Sequence, residues 1–386
     1  MLKLTGKGCV ADFLADRIAY RSLNPSDPNL PGLESLSRQL GLPAGLAPRK
    51  SELDYARVVV ELLKHSQHIH APGVDLKQIV FIGDTRRNDG LTFDNLCRVS
   101  GLPGVAFIGD ETSAPALVEM ATTESGQTLY LSNRWSALLD TGEKGFAGFC
   151  RRQGLEVDEH TAVLIDLDKT ALAARGRNAQ VIDQARVQAV EDTVAESSGE
   201  GFDPQAFRVA YDRLNQPEYH SFTADNQDYL AYICLILGSG LVGLQELLGA
   251  VQSGSIEDFR GFIALIERRS EELPPVLQDL HADIYARVKA GDPTPFKAFR
   301  HNEYLATVRR MGTLEENAPL ERFLQEEILL TYEVASLAQR WGAQGALLFG
   351  LSDKPDEASI PTHEQAAQGY QPIHRTSTHI LGDMAN

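Results

Sequence analysis

Two aspartates, Asp166 and Asp168, stand at the end of a short apolar run in Val163-Leu164-Ile165-Asp166-Leu167-Asp168-Lys169-Thr170. Along an extended chain, side chains two apart face the same way, roughly 6–7 Å from each other. Both carboxylates would then point into one crevice at the C-terminal end of a strand, where open α/β sheets bind ligands. That arrangement suits phosphoryl transfer. One carboxylate attacks phosphorus; the other protonates the leaving alcohol and later activates water. The bare pattern equally describes a strand ending in two solvated, turn-forming aspartates, so the chemistry depends on partners.

Two further strand ends supply candidates. Ile79-Val80-Phe81-Ile82 runs into Gly83-Asp84, with Asp89 five residues on. Carboxylates at a strand end are typical ligands of a hard divalent cation. A cation is close to obligatory, because two unit negative charges about 4 Å apart repel by on the order of 4 kcal/mol at an effective dielectric near 20. Leu347-Leu348-Phe349-Gly350-Leu351 ends at Ser352, followed by Asp353-Lys354-Pro355. That hydroxyl can donate to a phosphoryl oxygen. Ser132, after Thr128–Leu131, is an alternative of the same kind.

The elements that must position these residues follow from periodicity. Short apolar runs at 79–82, 105–108, 128–131 and 162–165 alternate with helical segments. The spacing predicts helices over Ser51–His65 and Trp135–Gly154, hence a parallel sheet covered on both faces. From Asn178 to Trp341 the periodicity is helical with almost no strand signal, and the α/β character returns at Ala346–Leu351. The expected layout is an N-terminal arm at 1–48, an α/β core at 49–177 and 343–386, and a helical insertion at 178–342.

Among 386 residues, 43% are hydrophobic and the formal net charge is -17. That charge argues against a nucleic-acid or anionic-membrane partner, but not against a small phosphorylated substrate beside a bound metal. Cys9, Cys97, Cys150 and Cys234 are far apart, which favours a reduced, cytoplasmic setting. No apolar run is long enough to span a bilayer. Gly238-Ser239-Gly240-Leu241-Val242-Gly243 fits a dinucleotide-binding pattern, but its surroundings read as helical, and small residues between two helices explain it better. His65, His68 and His70 lack the spacing and thiols of a zinc site.

Together the three strand ends resemble the haloacid-dehalogenase-like superfamily. Asp166, Asp168 and Thr170 match its Asp-x-Asp-x-Thr motif. Ser352-Asp353-Lys354-Pro355 is similar to its second motif, and Gly83-Asp84 with Asp89 to the longer form of its fourth. The third motif is a lysine that commonly opens the helix before the fourth-motif strand. Lys50 is similar in position, at a longer interval than usual, with Lys64 and Lys354 as rivals. The order departs from the family's: motifs three and four precede motif one, and motif two is last. Moving residues 45–175 to follow 356 restores the usual order, so the resemblance implies a circular permutation, with residues near 45 and 356 close together.

The resemblance implies a Rossmann-like parallel sheet with an inserted all-helical cap and a Mg²⁺-dependent phosphomonoesterase working through an aspartyl-phosphate. In it Asp166 is the nucleophile, Asp168 the general acid and base, and Ser352 and Lys50 hold phosphoryl oxygens. Asp84, Asp89, Asp166 and Asp168 form the metal set. Thr170, Arg175, Arg177 and Lys354 are expected to bind substrate, although the two arginines read equally well as linker charges. The alternative is a non-catalytic phosphate-binding or assembly protein on the same scaffold. The residues name neither the substrate nor the oligomeric state.

Overall fold

The apolar runs form strands because each can be buried on both faces. In order, the elements that build the sheet are β1 (Leu2–Gly8), α1 (Ala11–Leu14), β2 (Ile18–Ala19), α2 (Leu33–Leu40), α3 (Leu53–His70), β3 (Gln78–Gly83), α4 (Asp89–Ser100), β4 (Gly104–Gly109), β5 (Val118–Thr122), β6 (Thr128–Ser132), α5 (Phe146–Arg152) and β7 (Thr161–Asp166). The computed structural model describes residues 1–43, 47–139, 145–198, 203–224 and 226–383. The helices α6 (Gln180–Ser198), α7 (Pro204–Leu214), α8 (His220–Thr223), α9 (Gln227–Gly238), α10 (Leu244–Gln252), α11 (Phe259–Glu267), α12 (Pro275–Lys289) and α13 (Lys297–Val308) come next. The chain then returns through α14 (Leu320–Glu326), β8 (Leu330–Thr331), α15 (Tyr332–Ala343), β9 (Leu347–Leu351), α16 (His363–Ala367) and β10 (Thr378–Asp383).

The main sheet has seven strands in the order β2-β9-β7-β3-β4-β6-β5. All neighbours are parallel except β5 and β6. Every residue of β4, β7 and β9 is buried, which explains their continuous apolar sequence. On one face Phe81, Phe93, Leu164 and Phe349 pack with the apolar sides of α2 and α3. On the other, Phe107, Tyr130, Phe146 and Trp135 form an aromatic cluster with ring centroids 5.4–5.8 Å apart. Burying each large apolar side chain contributes about 1.5–3 kcal/mol.

The molecule is mixed α/β, and it divides into two compact units. One is Met1–Gln184 with Thr307–Asn386; the other is Ala185–Ala306. These limits differ from the expected layout in two places. Residues 1–48 are not a separate arm: β1 pairs with β10, and β2 pairs with β9 at the edge of the main sheet. The helical unit is also shorter than 178–342, because α14, β8 and α15 belong with the sheet. Helical periodicity identifies a helix but not the body it packs against. Residue 45, expected near 356, lies outside the described residues.

Within the helical unit, an ion-pair network fixes the core. Arg300 binds Asp228 through Nε and Nη2 and Glu303 through Nη1, and Glu303 also accepts from Arg186 Nε. Asp228 and Glu303 are buried, so each carboxylate needs those donors to offset its lost hydration. Gly238–Gly243 joins α9 to α10 with no strand before it, and Asp258 caps α11 through Gly261 N. Neither the strand nor the ribose-binding acid of a dinucleotide site is present there.

Candidate functional site

Three strand ends meet at the C-terminal edge of the sheet. β7 is flanked by β3 and β9, with Ile165 opposite Ile82 and Asp166 opposite Leu351. Asp84 and Ser352 each follow the last residue of a flanking strand, about one strand spacing of 4.8 Å from β7. The turn after Asp166 is tight: Ala171 N donates to Asp166 O, Thr170 N to Leu167 O, and Lys169 has a left-handed φ of 63°. That turn holds Asp168 partly exposed, and among the described residues no hydrogen bond engages its carboxylate.

Lys50, which lies just before α3, reaches into this edge. Its Nζ donates to Asp166 Oδ1 at 2.5 Å and to Asp89 Oδ1 at 2.7 Å. All three residues are buried. Asp89 Oδ2 accepts from the backbone N–H groups of Asp84 and Thr85 and from the Thr85 hydroxyl, at 2.8–3.0 Å. Both oxygens of Asp89 are thereby engaged: it holds Lys50 and closes the turn after β3. Gly83 permits the approach, since a Cβ there would lie 2.7 Å from Asp89 Cβ. Arg175 Nε donates to Asp84 Oδ2 at 2.5 Å.

The electrostatics follow from burial. Burial raises the Asp84 carboxyl, and the neighbouring Asp89 adds to it against the pull of Arg175, bringing it to about 7. For Asp89 burial acts in the same direction, but Lys50 and the hydrogen bonds outweigh it and hold the group at about 2. Asp166 is pushed well above the usual carboxylate range by burial and by Asp89 and Asp84, with Lys50 opposing. Lys50 stays protonated because the attraction of Asp166 and Asp89 exceeds its desolvation.

The array therefore has room for added positive charge. Asp84, Asp89 and Asp166 each offer an oxygen, all within 4.8 Å of one another. Hard oxygen donors at this spacing fit Mg²⁺, whose ligand bonds are 2.0–2.1 Å. Asp168, expected in the metal set, is not part of that cluster.

The other expected site residues separate clearly. Ser352 is buried beside β7, and its Oγ accepts from Lys354 N. Ser132, the alternative, ends β6, three strands from β7, and its Oγ donates to Arg134 O. Lys354 is buried near Thr307, with 3.5 Å from Nζ to Oγ1, and Lys64 is exposed on α3 and paired with Glu61. Of the three candidate lysines, Lys50 is the one bonded to Asp166. Thr170 is fully buried, and among the described residues its Oγ1 has no partner.

Arg177, expected either to bind substrate or to be a linker charge, is buried and donates to both oxygens of Glu333 and to Glu111. Arg175 is likewise already engaged, by Asp84. Sequence reasoning missed Glu333 and Glu111 because their partner is far along the chain. No protein-family model matches this chain, and comparison with curated proteins and with solved structures yields no match.

Proposed function

We propose that this chain is a Mg²⁺-dependent phosphomonoesterase on a circularly permuted haloacid-dehalogenase-like scaffold, acting on a small phosphorylated metabolite. The observation that carries this reading is the convergence of Asp166 and Asp84, at the ends of adjacent parallel strands, with Asp89 at the start of α4, and with Lys50 bonded to Asp166. In the first step an Asp166 oxygen bonds to phosphorus as the bond to the leaving alkoxide breaks, and Asp168 gives that alkoxide its proton. In the second, Asp168 takes a proton from water, which attacks phosphorus and frees Asp166. Lys50 offsets the negative charge of the nucleophile and phosphoryl group, and the Ser352 hydroxyl donates to a phosphoryl oxygen. Asp84 and Asp166 would hold Mg²⁺, which orients the phosphate and screens its charge.

Among the described residues, no helix is long and apolar enough to cross a membrane; a cytoplasmic setting is part of the proposal. The test is turnover of p-nitrophenyl phosphate with and without Mg²⁺. Wild type should hydrolyse it only with the metal. Asp166→Asn should lose on the order of 10⁴-fold or more in kcat, as expected for a nucleophile that acts as part of a unit, with its fold intact by circular dichroism. No Mg²⁺-dependent turnover by wild type would favour a non-catalytic phosphate-binding role. Substantial turnover by Asp166→Asn would sink the nucleophile assignment.

A further inference from the structure

A cavity of about 490 Å³ opens at the other end of the strands from Asp84 and Asp166. Val60, Leu63, Leu76, Ile79 and Leu102 form its apolar walls. They come from α3, from the turn leading into β3 and the start of that strand, and from the segment after α4. The walls are held in place. Gln67 Nε2 donates to Val74 O and Glu159 O, and Ser100 Oγ donates to Leu96 O while accepting from Leu102 N. Gly73 takes a left-handed φ of 83° to turn the chain around the mouth. The cavity meets the beginning of β3, whereas Asp84 follows its end; six residues of strand, about 20 Å, separate the two.

A cavity of this size with mainly apolar walls and a few polar groups is characteristic of a small-molecule site. Its polar groups give the ligand a direction. Lys64 and His68 are four residues apart on α3, so they share one helical face over the cavity, and both are exposed at its rim. Lys64 also bonds Glu61, on the same helical face, and Asp75 stands on the rim, but of the α3 side chains that line the cavity Lys64 and His68 are basic and none is acidic.

We infer that this cavity binds an amphipathic small anion, with an aliphatic or aromatic body against Leu63, Leu76 and Leu102 and its anionic group at Lys64 and His68. This second site is independent of the phosphatase assignment. It would also give the molecule a lever, since α3 begins three residues after Lys50 and ends beside the cavity.

Octanoate, 1-octanol and acetate, titrated calorimetrically into the full chain, test the inference. Octanoate should bind saturably at one site. Octanol should bind at least about tenfold more weakly, the worth of one charge-assisted hydrogen bond, and acetate not at all. Leu76→Trp, which fills the cavity from its partly exposed rim, should abolish octanoate binding. Lys64→Ala removes an exposed side chain without disturbing the core, and it should weaken octanoate while leaving octanol unchanged. Absence of saturable octanoate binding overturns the site, as does a Leu76→Trp protein that melts normally and still binds. Equal affinity for octanoate and octanol, or a Lys64→Ala protein with wild-type affinity for octanoate, overturns the anionic half of the assignment.

Discussion

At the scale of single residues, buried charge decides what each side chain can do. Lys50 lies between two buried carboxylates, and removing one partner of such a group costs about 3–5 kcal/mol. Lys50→Met should therefore lower the melting temperature sharply in metal-free buffer, and saturating Mg²⁺ should restore part of the loss. A calorimetric scan in both conditions checks this; an unchanged transition would mean the ion triad contributes nothing. Glu327 is fully buried and accepts from Gly312 N, Leu314 N, Thr378 Oγ1 and both His379 N and Nδ1. Burial would raise its carboxyl, but these donors outweigh that and lower it. A depressed carboxylate gives stability that is fully present above its unfolded value, about 4.3, and lost as pH falls through the folded one. Glu327→Gln should cost about 1.5–3 kcal/mol at pH 7 and flatten the fall of stability below pH 5 in a pH series of melts. The places of Asp166 and Ser352 in the fold were legible because Asp166 ends a buried apolar strand and Ser352 directly follows one. The roles of Arg177 and Glu327 were not, since their partners are brought in by tertiary contacts that no local spacing encodes.

At the scale of elements, the long buried strands announced themselves and the others did not. β3, β4, β6, β7 and β9 are apolar runs because their neighbours cover them. β5 is an exposed edge with Val118 and Met120 open to solvent, so it lacks that signature. β1 alternates apolar and polar residues, but its partner β10 lies at the far end of the chain. The helix expected over Trp135–Gly154 contains a one-turn 3₁₀ segment at Trp135–Leu138 and then α5; residues 140–144 fall outside the described residues. The segment Leu320–Trp341, whose periodicity is helical like the rest of 178–341, breaks at Leu330–Thr331 to pair with β10. Close approach of α4 to β3 depends on Gly83. Gly83→Ala should cost about 1–3 kcal/mol by overpacking and displace Asp89 together with the turn that places Asp84, so Mg²⁺ should no longer raise the melting temperature. A variant with wild-type metal response would show that Asp89 tolerates the shift.

At the scale of the whole molecule, the proposed metal touches one unit only. A ligand that binds the folded state stabilises it by about 2.7 kcal/mol at a hundredfold excess over its dissociation constant. Adding Mg²⁺ should therefore raise the melting of the unit that holds the sheet, whereas the unit Ala185–Ala306 should melt where it did before. Differential scanning calorimetry reads both. The division into a sheet-bearing core and a helical insertion was visible in the sequence as a change of periodicity. The N-terminal strands and the return of α15 to the sheet were not, because membership of a body is set by packing over long separations.

The staple behind the Asp-x-Asp-x-Thr turn has a kinetic consequence. Thr331 Oγ1 donates to Thr170 O, a pair 161 residues apart, whereas the Gln78–Thr161 bond beside β3 and β7 spans 83 residues. Doubling a loop adds only about 0.6 kcal/mol to its closure, yet the longer contact cannot form until the whole helical unit has left the ribosome. Synthesis thus delivers β7 first, then a helical body rich in local contacts, and last the segment that locks the turn. Pulse-labelled hydrogen exchange during refolding should find α9 and α11 protected before the β7–β9 amides. The edge that carries Asp166 and Ser352 would then be the last part of the protein to become rigid, after every element on which it rests.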